Sequence, residues 1–150
     1  MADLRLEELS ATNAVQAKSL ELRPGQEEFA NPESYVAAEP QIDPAKAWAK
    51  VIVKDGEVVG MARAYFDNGY PDEEFRGCVW NITISAGAQG AGVGRFALDA
   101  IIEEARARGL HDLTVMWEEG EGGPGEFFTR MGFVDSGETV YGDRIGRLSL

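Results

Sequence analysis

The sequence has 150 residues, 44% hydrophobic and 27% charged, and its net charge is −12. That length suits one domain over residues 1–150, and there is no apolar run of about 18 residues, which a membrane-spanning helix would need. The negative charge argues against nucleic-acid binding, which depends on Lys and Arg neutralising phosphates. One cysteine, Cys78, and one histidine, His111, argue against a disulfide framework and a zinc site. Without a signal peptide, these features predict a cytoplasmic protein.

The first half of the chain predicts antiparallel hairpins. Residues 3–9 alternate in polarity and predict a strand, Asn13 is a candidate cap for a helix running to Leu22, and a short helix is expected after Pro32. Asp55-Gly56 is a favoured pair for a tight hairpin turn. Around that turn, further strands are predicted at 48–53, 58–66 and 77–85.

The second half predicts a single β-α-β crossover. Apolar residues from Val93 to Ala105 follow the spacing of one helix face, and Gly109 is expected to end that helix. A strand at 113–117, a short helix after Pro124 and strands at 132–139 and 144–150 complete the pattern. The fold class is therefore α/β (α+β), with a mixed, mostly antiparallel sheet of about seven strands, one central crossover and flanking helices.

The start of the central helix lacks a capping side chain and carries Gly90, Gly92 and Gly94. Free N–H groups at a helix N-terminus, reached through glycines that let a ligand approach the backbone, favour an anion such as a phosphate. A tight turn that uses glycine for positive φ is the simpler alternative, but three glycines within five residues favour phosphate.

Two kinds of phosphate ligand fit this helix start. Residues 92–97 match G-x-G-x-x-A, the dinucleotide fingerprint, and Glu118 follows the next strand where a ribose-binding acid is expected. Residues 86–89 separate this fingerprint from its strand, however, and the hairpins of the first half provide no second mononucleotide unit. A nicotinamide-dependent oxidoreductase is therefore the weaker alternative.

Two motifs resemble the GNAT superfamily of N-acetyltransferases. Residues 89–94, Gln-Gly-Ala-Gly-Val-Gly, match its Q/R-x-x-G-x-G/A acetyl-CoA motif, and residues 127–133 are similar to its L-Y-x-x-x-G-F helix. The loop from Trp117 to Phe127, with Glu121 and Pro124, resembles that of bacterial spermine/spermidine-type enzymes. The resemblance covers residues 48–150 well and the N-terminal third only loosely.

This resemblance implies a GNAT-like fold, acetyl-CoA as co-substrate without a metal, and transfer of an acetyl group to an amine. It implies that two splayed strands form a cleft for pantetheine and that a strand N–H stabilises the tetrahedral oxyanion. The implied cofactor-binding residues are Ile82, Thr83, Ile84, Gln89, Gly90, Ala91, Gly92, Val93, Gly94, Arg95, Glu121, Pro124, Phe127 and Phe128.

One position departs from the family pattern, because Phe128 stands where many members have a tyrosine that acts as general acid toward the departing thiolate. Tyr141 and Glu118 are the substitute catalytic candidates, the thiolate could leave unassisted, or the protein could be a silent acyl-CoA-binding module. The net charge favours a small, cationic amine as acceptor, with no nucleic-acid or membrane partner. Free strand edges, together with the dimers that the resembled family commonly forms, predict a homodimer.

Overall fold

The computed structural model describes residues 4–18, 43–88, 92–118 and 125–150. The helix expected after Pro32 and the predicted helix end at Leu22 lie outside these residues. Across the described residues the chain forms three α-helices: α1 (Ala11–Lys18), α2 (Val93–Ala107) and α3 (Gly125–Arg130). It also forms seven strands: β1 (Leu4–Glu8), β2 (Ala47–Lys54), β3 (Glu57–Phe66), β4 (Gly77–Ile84), β5 (Asp112–Trp117), β6 (Val134–Glu138) and β7 (Arg144–Ser149).

The strands build one sheet in the order β1-β2-β3-β4-β5-β7-β6. Every neighbouring pair is antiparallel except β4 and β5, which are parallel and joined by α2. A parallel pair needs a long crossover, whereas the antiparallel pairs can be joined by short turns. The predicted mixed sheet with one central crossover is confirmed.

The β2–β3 turn is tight because both of its central residues adopt positive φ. Asp55 has φ +52° and Gly56 has φ +85°, the pattern of a type I′ hairpin turn. This turn matches the right-handed twist of the two strands, so the Asp-Gly pair correctly predicts where the hairpin reverses.

The cap of α1 differs from the prediction. The Asn13 N–H donates to Ser10 Oγ at 3.2 Å, and the Ser10 N–H donates to Asn13 Oδ1 at 2.8 Å. Ser10 is therefore the N-terminal cap, and Asn13 is the third helical residue of a reciprocal capping pair. The predicted cap at Asn13 is wrong, because both side chains can cap and the choice depends on where the chain leaves β1.

Helix α2 packs its apolar face on one side of the sheet and ends as predicted. Gly109, at φ +77°, donates its N–H to the Arg106 carbonyl, and the Leu110 N–H reaches the Ala105 carbonyl at 3.1 Å. This is a Schellman ending, which requires a left-handed residue and so favours glycine. The buried residues of the helix are Val93, Ala97, Leu98, Ile101 and Ala105.

Candidate active site

A cleft opens between the two parallel strands. The pairing of β4 with β5 is limited to Cys78 with Thr114 and Val79 with Val115, although β4 continues to Ile84. Strand β4 keeps its pairing with β3 over that whole stretch. The gap therefore lies at the carboxyl ends of the parallel strands, where α/β sheets commonly bind ligands.

A β-bulge in β4 explains why the strands separate. Consecutive β3 residues Arg63 and Ala64 pair with Asn81 and Val79, so Trp80 is the extra residue on β4. A bulge bends its strand and increases the local twist. Because the bulge falls directly after the last pair between β4 and β5, it carries the remainder of β4 away from β5.

The start of α2 is uncapped, as the sequence predicts. Gly92 is the N-cap residue in the left-handed region, at φ +80°, and makes no side-chain capping hydrogen bond. The first helical bond runs from the Phe96 N–H to the Gly92 carbonyl at 3.0 Å. The N–H groups of Val93, Gly94 and Arg95 precede that bond and form the donor end of the helix dipole.

Helix α3 brings the second motif against this helix start. A Cβ atom placed on Gly94 would lie 3.2 Å from Phe127 Cε1 and 3.3 Å from Phe127 Cζ. The phenyl ring thus rests on the backbone of the first turn of α2. Four of the predicted cofactor residues, Gly92, Val93, Gly94 and Phe127, are therefore brought together. Predicted cofactor residues outside the described part of the chain are Gln89, Gly90, Ala91, Glu121 and Pro124.

Phe128 belongs to an aromatic core. Its ring stacks on Trp117 with centroids 6.2 Å apart and meets Phe133 edge-on at 5.6 Å, and the residue is only 6% exposed. Trp117 is itself confined, since a Cβ on Gly125 or Gly146 would come within 2.6 Å of its indole. Packing accounts for a phenyl ring at position 128.

The two catalytic candidates lie at the same end of the sheet as the cleft but in different settings. Glu118 is partly buried and directly follows Trp117, the last residue of β5. Tyr141 lies in the turn between β6 and β7, is 52% exposed, and its N–H donates to Thr139 Oγ1. Glu118 therefore stands at the mouth of the cleft, whereas Tyr141 is carried by an exposed turn.

The opposite face of the sheet from α2 carries a group of residues that the sequence analysis did not single out as a site. We call Arg63, Tyr65, Trp80 and Asn81 the bulge cluster. Arg63 Nη2 donates to Tyr65 Oη at 2.9 Å, and the Tyr65 and Trp80 rings meet edge-on at 4.7 Å. A signal was present in the sequence, because Arg63 and Asn81 are polar residues inside two mainly apolar strands.

Two kinds of feature are absent from the described residues. No group of three or more His, Cys, Asp or Glu side chains there is placed to hold a metal ion. No helix within those residues has the length and hydropathy to cross a membrane.

Comparison with known proteins gives a family and a set of relatives. The sequence model described as the acetyltransferase (GNAT) family matches residues 15–133. An L-methionine sulfoximine/L-methionine sulfone acetyltransferase from Pseudomonas paraeruginosa is 36% identical over 94 residues, which cover 61% of this chain and 54% of the relative. The chain thus matches about half the length of that curated relative.

Solved structures share the fold at low sequence identity. An acetyltransferase from Thermus thermophilus aligns with a TM-score of 0.70 at 23% identity, covering 98% of this chain and 97% of that one. The N-acetylglutamate synthase from Neisseria gonorrhoeae, complexed with coenzyme A and N-acetyl-glutamate, aligns with a TM-score of 0.68 at 21% identity, over 100% of this chain and 35% of that one. These likenesses establish the GNAT fold.

Proposed function

Because this chain belongs to the acetyltransferase (GNAT) family, whose members use acetyl-CoA, we propose that it transfers the acetyl group of acetyl-CoA to the amine of a small molecule. The observation that carries the proposal is that the β4–β5 pairing stops at Val79. The cleft opened there lies at the same end of the sheet as the uncapped start of α2. Together they provide a slot for an extended thiol arm and an anion site at its outer end.

The donor site is built mainly from backbone. The pyrophosphate of CoA accepts hydrogen bonds from N–H groups of the glycine turn and the first turn of α2, residues 89–95, where the helix dipole also favours negative charge. The pantetheine arm pairs with the β4 edge at Ile82, Thr83 and Ile84, as an added strand would. Phe127 supports the first turn of α2 through its contact with Gly94.

The chemistry places one demand on the acceptor and one on the donor. An alkyl amine has a pKa near 10.4 and must lose a proton before its nitrogen attacks the thioester carbon. The resulting tetrahedral oxyanion accepts a hydrogen bond from a backbone N–H of β4 at the bulge. Collapse breaks the C–S bond and releases the CoA thiolate, whose pKa of about 8.5 lets it leave without an acid. A base or a water chain removes the amine proton, and Glu118 and Tyr141 are the alternative candidates for protonating the departing thiolate.

The acceptor carries a cationic amino group in solution. The net charge of −12 supports this part of the proposal, since it concentrates cations near the protein. The Pseudomonas relative is named for amino-acid substrates, which also carry an ammonium group. The relatives described above do not confirm the spermine/spermidine subgroup.

Further features of the proposal concern the whole protein. Residues 1–150 act as one domain, and a homodimer is supported by the sheet edges at β1 and β6. The buried thiol of Cys78, the single cysteine of the sequence, supports a reducing compartment such as the cytoplasm. The dinucleotide alternative gains nothing from the fold, because among the described strands only β4 and β5 form a parallel pair.

The test is release of CoA thiol from acetyl-CoA in the presence of a panel of amines, amino acids, peptides and aminoglycosides. Acetylation of at least one amine supports the proposal, and thermal protection by CoA but not by NAD identifies the donor. Tight CoA binding without thiol release for any acceptor would instead identify a silent acyl-CoA-binding module. Protection by NAD alone would favour the oxidoreductase.

A further inference from the structure

Arg63 is a partly buried arginine of the sheet that has no carboxylate partner among the described residues. Its guanidinium donates to Tyr65 Oη and lies 5.9 Å from the centroid of the Tyr65 ring. The β7 arginines behave differently, since Arg144 pairs with Asp135 and Arg147 pairs with Asp112. A guanidinium carries five N–H donors in a fork that matches a carboxylate, so Arg63 retains the capacity to bind one.

Asn81 is the cross-strand partner of Arg63, so the two side chains leave the same face of the sheet with Cβ atoms about 5 Å apart. The side-chain oxygen of Asn81 is buried and, alone among the buried side-chain nitrogen and oxygen atoms of the described residues, has no hydrogen-bond partner. A buried acceptor without a donor destabilises the folded protein, and such an atom calls for an explanation. An incoming N–H donor would satisfy it.

The position of this pair relative to the proposed donor site is specific. Asn81 follows the bulge at Trp80, where the β4–β5 cleft begins. Ile82 and Ile84 pack in the core on the α2 side, whereas Trp80 packs with Tyr65 on the opposite face. A donor held by the start of α2 enters from one face, so an acceptor that reaches the thioester through the cleft meets Arg63 and Asn81 on the other.

Resting on the proposed function, we infer that the bulge cluster recognises an acceptor that carries both an amine and a carboxylate, that is, an α-amino acid or a close analogue. Arg63 binds the carboxylate through its free N–H donors. Asn81 Oδ1 accepts a hydrogen bond from the amine and orients the nitrogen toward the thioester. Arg63 is a specificity-determining residue and Asn81 a positioning residue of the acceptor site.

The test compares amino acids, including L-methionine sulfone, with their primary carboxamides, which keep the amine but lose the negative charge. The wild-type protein is expected to prefer the acid over the amide in kcat/KM by roughly 10- to 100-fold, the range of a hydrogen bond to a charged group. Arg63→Gln is expected to abolish this preference by lowering kcat/KM for the acid roughly 10- to 100-fold, to the level of the amide. Arg147→Gln is the matched control, a β7 arginine whose loss leaves the preference unchanged.

Asn81 is tested by a second pair of variants. Asn81→Leu is expected to lower kcat/KM about 10-fold or more for acid and amide alike, with unchanged CoA affinity. Its Tm is expected to be equal to or above that of the wild type, because the unsatisfied buried oxygen is removed. Asn81→Asp keeps an acceptor oxygen and is expected to retain more kcat/KM for the amide than Asn81→Leu does. The preference for the acid is expected to be lost in this variant, because the new carboxylate pairs with Arg63.

The outcomes separate this inference from the proposed function. Equal use of acids and amides by an active wild-type protein would overturn the role of Arg63 but leave the acetyltransferase intact. A lowered Tm of Arg63→Gln with an unchanged acid preference would show that Arg63 only stabilises the fold. Full activity of Asn81→Leu would remove Asn81 from the acceptor site. Absence of thiol release with every amine would defeat the proposed function itself.

Discussion

Replacement of Gly92 by valine tests whether the start of α2 holds the CoA pyrophosphate. Gly92 adopts φ +80°, and a Cβ atom there would meet none of the described residues within 4 Å. The left-handed conformation costs an L-residue about 1–2 kcal/mol. At roughly 2–4 °C per kcal/mol for a chain of this size, Tm is expected to fall by about 2–8 °C. The fold should otherwise survive.

The loss of CoA affinity should be much larger than the backbone strain alone would cause. A valine side chain would occupy the open space through which the phosphates approach the N–H groups of Val93 and Gly94. Each hydrogen bond to a charged group contributes about 1.5–3 kcal/mol, so the loss of one or two raises the Kd for CoA by at least about 10-fold. Isothermal titration calorimetry measures that Kd directly.

The same helix provides a matched control at its other end. Gly109 has φ +77°, and a Cβ atom there would likewise meet no described residue within 4 Å, so Gly109→Val introduces the same kind of strain without approaching the anion site. We expect a similar fall in Tm and an unchanged Kd for CoA. Equal affinities for the two variants, whether both weakened or both normal, would refute a phosphate site at Gly92.

Three further predictions address packing, catalysis and pH. Gly146→Ala is expected to lower the free energy of unfolding by about 1–3 kcal/mol, measured in urea, because its Cβ would lie 2.6 Å from the confined Trp117 indole. Phe128→Tyr is expected to change kcat by less than about 10-fold, because a thiolate with a pKa of about 8.5 leaves without help; a rise of 100-fold or more would reveal a missing acid. The pKa of Asp135 is lowered mainly by the hydrogen bond from the Arg144 side chain and secondly by that from the Gly137 N–H. An NMR titration should therefore show that the Asp135 carboxylate stays ionised to a lower pH than an ordinary aspartate does. Its contribution to stability is then present above the unfolded-state pKa and lost as the pH falls through the folded-state pKa, and Asp135→Asn should remove that pH dependence.

The local features of the fold were predictable because short segments encode them. The Asp55-Gly56 turn, the apolar face of α2 and its Gly109 ending all depend on neighbours within a few residues. The α1 cap was mispredicted, since Ser10 and Asn13 both have capping side chains and the exit from β1 decides between them. To predict which of two such residues caps a helix, one needs the tertiary path of the chain.

The candidate site was predictable only in part. The glycine-rich start of α2 can be recognised in the sequence, because the lack of a capping side chain is a local property. The bulge at Trp80 is not local: it depends on the register of β4 against β3 and on where pairing with β5 stops. The pairing of Arg63 with Asn81 follows from that register, so their juxtaposition appears only in three dimensions.

The short parallel pairing also has a consequence for how the sheet is divided. Only two residue pairs join β4 to β5, so the sheet consists of a four-stranded and a three-stranded unit, each contiguous in sequence and antiparallel throughout. Such units can unfold separately when the contacts between them are few. Amide hydrogen exchange can measure whether the two units differ in protection. Chain cleavage within residues 89–91 would yield two fragments that each keep a complete antiparallel ladder. These fragments are therefore natural halves for a complementation reporter, in which a bound CoA molecule would bridge the seam and favour reassembly.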